Sequence, residues 1–247
     1  MSERSVFFAI HDGLPRQAPG SEATTRHLLA QCLRLPAAAQ VLDVGCGPGR
    51  ASLVIADELP DATITAVDLY QPYLDQLVES ARAAGVADRI DARRASMTAL
   101  PFADGTFDLV WSEGAIYIMG FSAGLRAWRP LLRRRGLVVV TEATWFTAAP
   151  SPATAAFWAE GYPPMTDVDT CCRLAEAAGY DVLATHRLPH DDWWAEYYGP
   201  LTARLDASDT TDPTVAAVVA AERVEIDLHR DHGDEYGYTG FVLRRTD

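Results

Sequence analysis

The chain has 247 residues and a net charge of −13, from 34 acidic and 21 basic side chains. That length fits one α/β domain able to bury about 70–75% of its unfolded surface, and the diffuse negative field opposes nucleic acid, whose binding rests on neutralising phosphates. No stretch approaches the ~20 apolar residues that cross a bilayer, Met1-Ser-Glu-Arg lacks the form of a signal peptide, and Cys32, Cys46, Cys171 and Cys172 show no metal spacing; a cytoplasmic protein with no metal, no membrane and no nucleic-acid partner is expected.

Residues 1–20 mix apolar Val6, Phe7, Phe8 and Ile10 with turn formers such as Asp12-Gly13 and Pro19-Gly20. Ser21 then reads as a helix N-cap, followed by Leu28, Leu29, Cys32 and Leu33 at helical spacing. The run Val41-Leu-Asp-Val-Gly-Cys-Gly-Pro-Gly-Arg50 follows, a buried strand falling into glycines at alternate positions and then into a helix. Gly45, Gly47 and Gly49 allow positive φ and close approach of a ligand to the main chain. Cys46 sits within the turn, where a small residue fits. A dinucleotide turn reads G-x-G-x-x-G, whereas here Arg50 holds the place of the last glycine. Asp43 adds a carboxylate just before the turn, which suits an ammonium and repels phosphate. The expected ligand therefore carries ribose and a positive charge.

Ala62-Thr-Ile-Thr-Ala-Val-Asp68 is a β-branched run ending in an acid that can accept both hydroxyls of a ribose, with a helix N-cap as its structural alternative. A helix begins at Leu69, and a short third strand spans 88–93. Thr106-Phe-Asp-Leu-Val-Trp111 reads as a fourth strand, placing Glu113 and Tyr117 just beyond its carboxyl end, where ligands of open parallel sheets gather. Leu125–Leu132 is an amphipathic helix whose basic end, Arg129 with Arg133, Arg134 and Arg135, complements its dipole. Leu137-Val-Val-Val-Thr-Glu142 is an unbroken, buried fifth strand, with Glu142 facing the same mouth. A helix over 166–178, a strand over 180–188, an aromatic insert over 189–233 and a closing strand over 234–247 complete the chain. Strands alternating with helices mean a parallel, doubly wound sheet.

The glycine-rich run, Asp68 and the order of motifs over 40–142 resemble the class I S-adenosylmethionine-dependent methyltransferases. Trp111–Tyr117, Glu142–Phe146, Phe157–Pro163, Tyr236-Gly-Tyr238 and the early Gln17-Ala-Pro-Gly-Ser21 resemble a bacterial small-molecule subgroup of type 11-like enzymes. The resemblance implies a Rossmann-like, doubly wound, seven-stranded sheet whose last strand is antiparallel. A single domain over 1–247 then divides into a helical lid over 1–38, a cofactor core over 39–188, a helical and aromatic cap over 189–233 and the last strand. It implies S-adenosylmethionine as cofactor, S-adenosylhomocysteine as product, and methyl transfer to nitrogen or oxygen of a small metabolite. Asp43, Gly45, Cys46, Gly47, Gly49, Asp68, Leu69, Ser96, Met97 and Glu113 would hold the cofactor, with Ser96 standing where many relatives carry an acid for the adenine amino group. Glu113, then Tyr117, His186 or His190, are the candidate bases. Glu142, Trp145, Trp158, Tyr162 and Trp193 are candidates to line an acceptor pocket. A homodimer is left open. A catalytically silent cofactor-binding sensor and, behind it, a nicotinamide-dependent oxidoreductase are the alternatives.

Overall fold

The computed structural model describes residues 2–247. The carbon skeleton of the fold is a sheet of strands β1 (Gln40–Val44), β2 (Thr63–Asp68), β3 (Ile90–Arg94), β4 (Phe107–Ser112), β5 (Leu132–Trp145), a two-residue β6 (Thr166–Asp167), β7 (Tyr180–Arg187) and β8 (Tyr236–Arg245). Their order is β3-β2-β1-β4-β5-β8-β7, with β6 paired only to the end of β5. The first five strands are parallel, and β8 runs antiparallel between β5 and β7. This is the expected doubly wound sheet with its antiparallel last strand, extended by the small β6 ladder. The centre is apolar because β1, β4 and β5 are covered on both faces; Leu42, Val110, Val138 and Val140 pack in one layer and Val41, Leu109, Trp111 and Val139 in the other.

Helices α1 (Glu3–His11) and α2 (Glu22–Ala30) precede the sheet, and Ser21 caps α2 by accepting from the Thr24 amide, as its residue type predicts. Helices α3 (Arg50–Glu58), α4 (Gln71–Ala83), α5 (Phe121–Trp128), α6 (Pro152–Gly161) and α7 (Val168–Ala177) flank the strands. After β7 comes a short α8 (Asp191–Trp193), a π-turn over Trp194–Tyr198, α9 (Gly199–Asp206) and the long α10 (Pro213–His232). These last helices and α1 share a core of their own, built from Val6, Ile10, Trp193, Tyr198, Leu201 and Ile226. It lies against Ala143 and Tyr236, above the carboxyl end of the sheet.

Two expectations fail locally. Residues Arg133–Arg135 do not end a helix; α5 stops at Trp128, and the arginines belong to β5. Between Leu132 and Leu137, five steps along β5 match two along β4, so the intervening residues bulge outward. The helix of residues 3–11 went unread because its apolar residues lie among turn formers, and α1 is secured by packing on α9 and α10.

The glycine turn joins β1 to α3. Gly45, Gly47 and Gly49 all have positive φ, at 70°, 52° and 84°. A methyl on Gly49 would fall inside the Leu77 side chain of α4, whereas one on Gly47 would meet only the methylenes of Gln17 at 3.5 Å. Gly49 thus serves helix packing and Gly47 keeps open a face of the turn. Gly49→Ala is expected to cost about 2–4 kcal/mol, combining left-handed strain with overpacking, and Gly47→Ala only about 1–2 kcal/mol. Urea denaturation of the two variants checks the ordering.

Candidate active site

Asp68 ends β2 beside the glycine turn. One carboxylate oxygen accepts from the Gly47 amide at 3.0 Å and the other from the Tyr70 amide at 2.9 Å. Each oxygen keeps a free lone pair, so the group can still receive two hydroxyls. Met97, after β3, brings its terminal methyl near Gly45, and its carbonyl accepts from the Trp128 indole. Ser96 is half-buried and bonds Thr98 through its hydroxyl, and Leu69 is exposed. Gly45, Gly47, Asp68, Leu69, Ser96 and Met97 therefore lie on the strand ends and loops that follow β1, β2 and β3.

Asp43 and Cys46 are displaced from the roles assigned them. The Asp43 carboxylate is 1% exposed and accepts from Ser52 of α3 at 2.6 Å, beneath the turn rather than facing out of it. Burial pushes it up to about 7, against the pull of the Ser52 bond. Its function is to tie strand to helix. Cys46 is buried, its thiol points back at the Gly47 carbonyl, and desolvation raises it well above the ordinary thiol range. It offers the turn a small side chain and no nucleophile.

Glu113 is bound from three sides. Arg16 donates to it at 2.7 Å, Thr25 at 2.8 Å and the Trp111 indole at 3.0 Å. Three of its four lone pairs are committed to fixed donors, one of them a guanidinium, so it is poorly placed to accept a proton from a substrate or to bind the cofactor. The same guanidinium, 5% exposed, also donates to Glu196 of the π-turn at 2.9 Å. Arg50, the residue in the last fingerprint position, meets Glu196 at 3.2 Å and Glu22 at 2.9 Å. The segment between α1 and α2 is thereby fastened over the turn, and Gln17 lies across Gly47, accepting from the Tyr73 hydroxyl at 2.6 Å. Sequence reasoning missed Arg16, Gln17, Tyr73 and Glu196 as site residues.

His186 lies on β7, the sheet edge, four strand spacings from β1, or roughly 19 Å. Its ring is 4.1 Å from that of His27, and burial, then His27, lowers its basicity. It stands apart from the turn as a base would not. His190 likewise faces the rings of His229 and Trp194.

Glu142 is different. It is 2% exposed near the carboxyl end of β5, and neither carboxylate oxygen has a hydrogen-bond partner. Burial pushes it up to about 7, the nearby Tyr162 hydroxyl pulling back only in part. Tyr162 packs edge-on to Tyr117 at 5.8 Å, and Tyr117, itself 45% exposed, stands near enough to Glu142 to feel its charge. The Trp158 indole nitrogen and the Tyr236 hydroxyl are buried close to one another without a well-formed hydrogen bond, their rings 5.1 Å apart. Trp145 stands 6.3 Å from Tyr236. Glu142, Tyr117, Trp158 and Tyr162 thus form one neighbourhood. Trp193 does not share its open side, being 3% exposed and stacked on His229 at 4.0 Å inside the helical core. Among the described residues no cluster of His, Cys, Asp or Glu could hold a metal, and no helix is long and apolar enough to cross a membrane.

Arg16→Ala is expected to cost about 3–5 kcal/mol, because it strands the Glu113 carboxylate in a buried site. Adding Glu113→Gln in the same chain should recover part of that loss. Denaturant melts of the single and double variants measure the coupling.

Residues 41–136 match the model of a methyltransferase domain family. The methyltransferase GfsG of Streptomyces halstedii is 28% identical over 211 residues, covering 83% of this chain and 68% of that protein. Phosphoethanolamine N-methyltransferase 1 of Triticum aestivum is 30% identical over 170 residues, 68% of this chain but 33% of its own length. Among solved structures, an SAM-dependent methyltransferase from Thiobacillus denitrificans, in complex with S-adenosyl-L-homocysteine, superposes with a TM-score of 0.84 at 22% identity, covering 99% of this chain and 100% of that one. With strand order, glycine turn and family match in agreement, residues 41–136 form a methyltransferase domain of the class I S-adenosylmethionine-dependent kind.

Proposed function

We propose that the protein transfers the methyl of S-adenosylmethionine to a nitrogen or oxygen of a small metabolite held beneath the helices of residues 191–232, and that Glu142 serves this acceptor. The observation that supports it is the Glu142 carboxylate, buried with both oxygens unpaired at the end of a strand where ligands of such sheets gather. An orphan carboxylate in a native fold calls for a partner, and the protein's nearest donors, the Tyr162 hydroxyl and the Ala143 amide, approach Glu142 without closing a well-formed hydrogen bond.

The residues of the turn fit the cofactor. Gly47 leaves its face free of a Cβ, and Asp68 is held there by two backbone amides with acceptor capacity to spare for a ribose. Leu69 and Met97 supply apolar surface on the neighbouring loops, with Ser96 as a weak polar contact. The cofactor supplies an activated methyl on a sulfonium, so the protein's part is alignment and exclusion of water. Arg16 and Gln17 perform the second task by fastening the amino-terminal segment across the turn.

Glu142 performs the first. As a carboxylate it orients an ammonium or hydroxyl by accepting its hydrogen; with its affinity for a proton raised to about 7 it can take a proton from the ammonium first, freeing the nitrogen lone pair that attacks the methyl, or from a hydroxyl as the new bond forms. The faces of Tyr117, Tyr162 and Trp158 suit a cationic body, worth about 0.5–2 kcal/mol per well-placed ring. An amine acceptor is therefore favoured over a neutral alcohol. The likeness to a phosphoethanolamine N-methyltransferase agrees with this chemistry. Nothing in this reading needs nucleic acid, which the charge of −13 opposes.

Three results test the proposal. Asp68→Ala should weaken S-adenosylhomocysteine binding by about 1–3 kcal/mol, read by calorimetry, and an unchanged affinity would remove the ribose assignment. For Glu142→Gln the sign is worked out from its raised pKa. The fold favours the neutral acid, so ionisation costs stability as pH rises from about 4.5 to about 7, and the cost is complete above that. The substitution should therefore stabilise the protein by roughly 2–3 kcal/mol near pH 8 and by almost nothing near pH 4, while lowering the release of S-adenosylhomocysteine in the presence of an amine panel. Third, kcat/KM of the native enzyme should fall as pH drops below about 7; a profile flat through that range would remove Glu142 as the base.

A further inference from the structure

The amino-terminal edge of the sheet, the end opposite the glycine turn, carries a cavity of about 580 Å³. Its walls are five arginines, Arg34, Arg133, Arg134, Arg135 and Arg244, and its apolar lining includes Leu33, Leu35, Leu137 and Leu183. In a chain with 21 basic residues and a net charge of −13, this gathers about a quarter of the positive charge around one concavity.

Three of these arginines are paired at the rim: Arg133 with Asp108 at 2.7 Å, Arg244 with Asp181 at 2.6 Å and Arg134 with Asp247 at 3.3 Å. Arg34 and Arg135 have no ion-pair partner among the described residues. They are also the two non-glycine residues of the described chain with positive φ, at 73° and 58°. A left-handed conformation disfavours any side chain with a Cβ and is the usual place for glycine. Ten glycines of this chain occupy positive φ, so the fold uses glycine freely where a turn alone requires it. Strained non-glycine residues cluster where function holds them, and here both strained positions are arginines that converge on the same cavity from different segments, one after α2 and one in the bulge that opens β5. The exposed Leu33 and Leu183, at 74% and 40%, border it.

We propose that this cavity binds a phosphorylated small molecule, its phosphates between Arg34 and Arg135 and its apolar body against Leu33, Leu35 and Leu183. Guanidinium groups match phosphate oxygens in bidentate fashion, and two unpaired ones need no competing carboxylate displaced. A concave, partly apolar site of this volume suits a small ligand more than the flat face of a macromolecule. The six-residue β4 separates it from the methyl-transfer end by roughly 20 Å, so the ligand is an effector or anchor rather than the methyl acceptor.

The test uses the full chain, with inorganic pyrophosphate and ADP as probes, followed by calorimetry at low salt. One-to-one saturable binding is expected, tighter for ADP if the apolar lining takes part, and unchanged in Asp68→Ala, which separates this site from the cofactor cleft. In the double variant Arg34→Gly with Arg135→Gly, binding should weaken by at least about tenfold, while the melting temperature stays level or rises as left-handed strain is relieved. Absence of saturable binding at millimolar probe, or binding retained by the double variant, overturns the proposal, as does binding lost only in Asp68→Ala. Because none of these readouts involves methyl transfer, the proposal stands or falls separately from the assignment of the active site.

Discussion

The arrangement of the methyl-transfer end depends on one buried guanidinium. Arg16 comes from the segment that precedes the sheet, Glu113 from the carboxyl end of β4 and Glu196 from the π-turn after β7. No two of these are neighbours in sequence, and each brings a different layer of the fold to the same point. A buried charge tolerates burial only when paired and hydrogen-bonded. With Thr25 and Trp111 completing the shell of Glu113, the pairing is satisfied in only one relative placement of the amino-terminal segment, the strand end and the later helices. That placement lays Gln17 over Gly47. Thr24, which bonds Asp192 at 2.5 Å, fixes the same junction from the side.

The consequence is a division of labour among acids that look alike in sequence. Asp43 lies under the turn and secures Ser52. Asp68 holds the turn's amide and keeps spare acceptor capacity. Glu113 anchors the closing segment. Glu142 is left with no well-formed hydrogen bond, the Tyr162 hydroxyl standing nearest. Four carboxylates near the ends of β1, β2, β4 and β5 therefore have four fates, set by which donors the packing supplies. The proposed acceptor chemistry is assigned to the last of them.

The parts of this that sequence made legible are those encoded locally. The glycine spacing, the β-branched run ending at Asp68, the Ser21 cap and the unbroken Leu137–Glu142 strand each carry their signal within about ten residues, and the parallel, doubly wound sheet followed from the alternation of strands with helices. What escaped was long-range. Glu113 read as a base because its position after a parallel strand is where bases sit; the partner that occupies it lies 97 residues earlier. His186 read as reachable because strand ends gather ligands, but the insertion of β8 moves β7 to the far edge. Trp193 read as pocket lining because an exposed aromatic and a core aromatic are identical in sequence, and only the stack on His229 tells them apart. Arg133–Arg135 read as a helix end because a basic run after an amphipathic helix fits its dipole, while the three-residue bulge that hosts them is a property of β4 and β5 together.

The most direct test of the account is a crystal structure of the protein with S-adenosylhomocysteine bound. The account predicts a ribose on Asp68, the main chain of Gly45–Gly47 against the amino-acid tail, and the sulfur opening toward the space bounded by Glu142, Tyr117 and Tyr162. A sulfur walled off from Glu142, or a nucleoside seated elsewhere with Asp68 untouched, would contradict it.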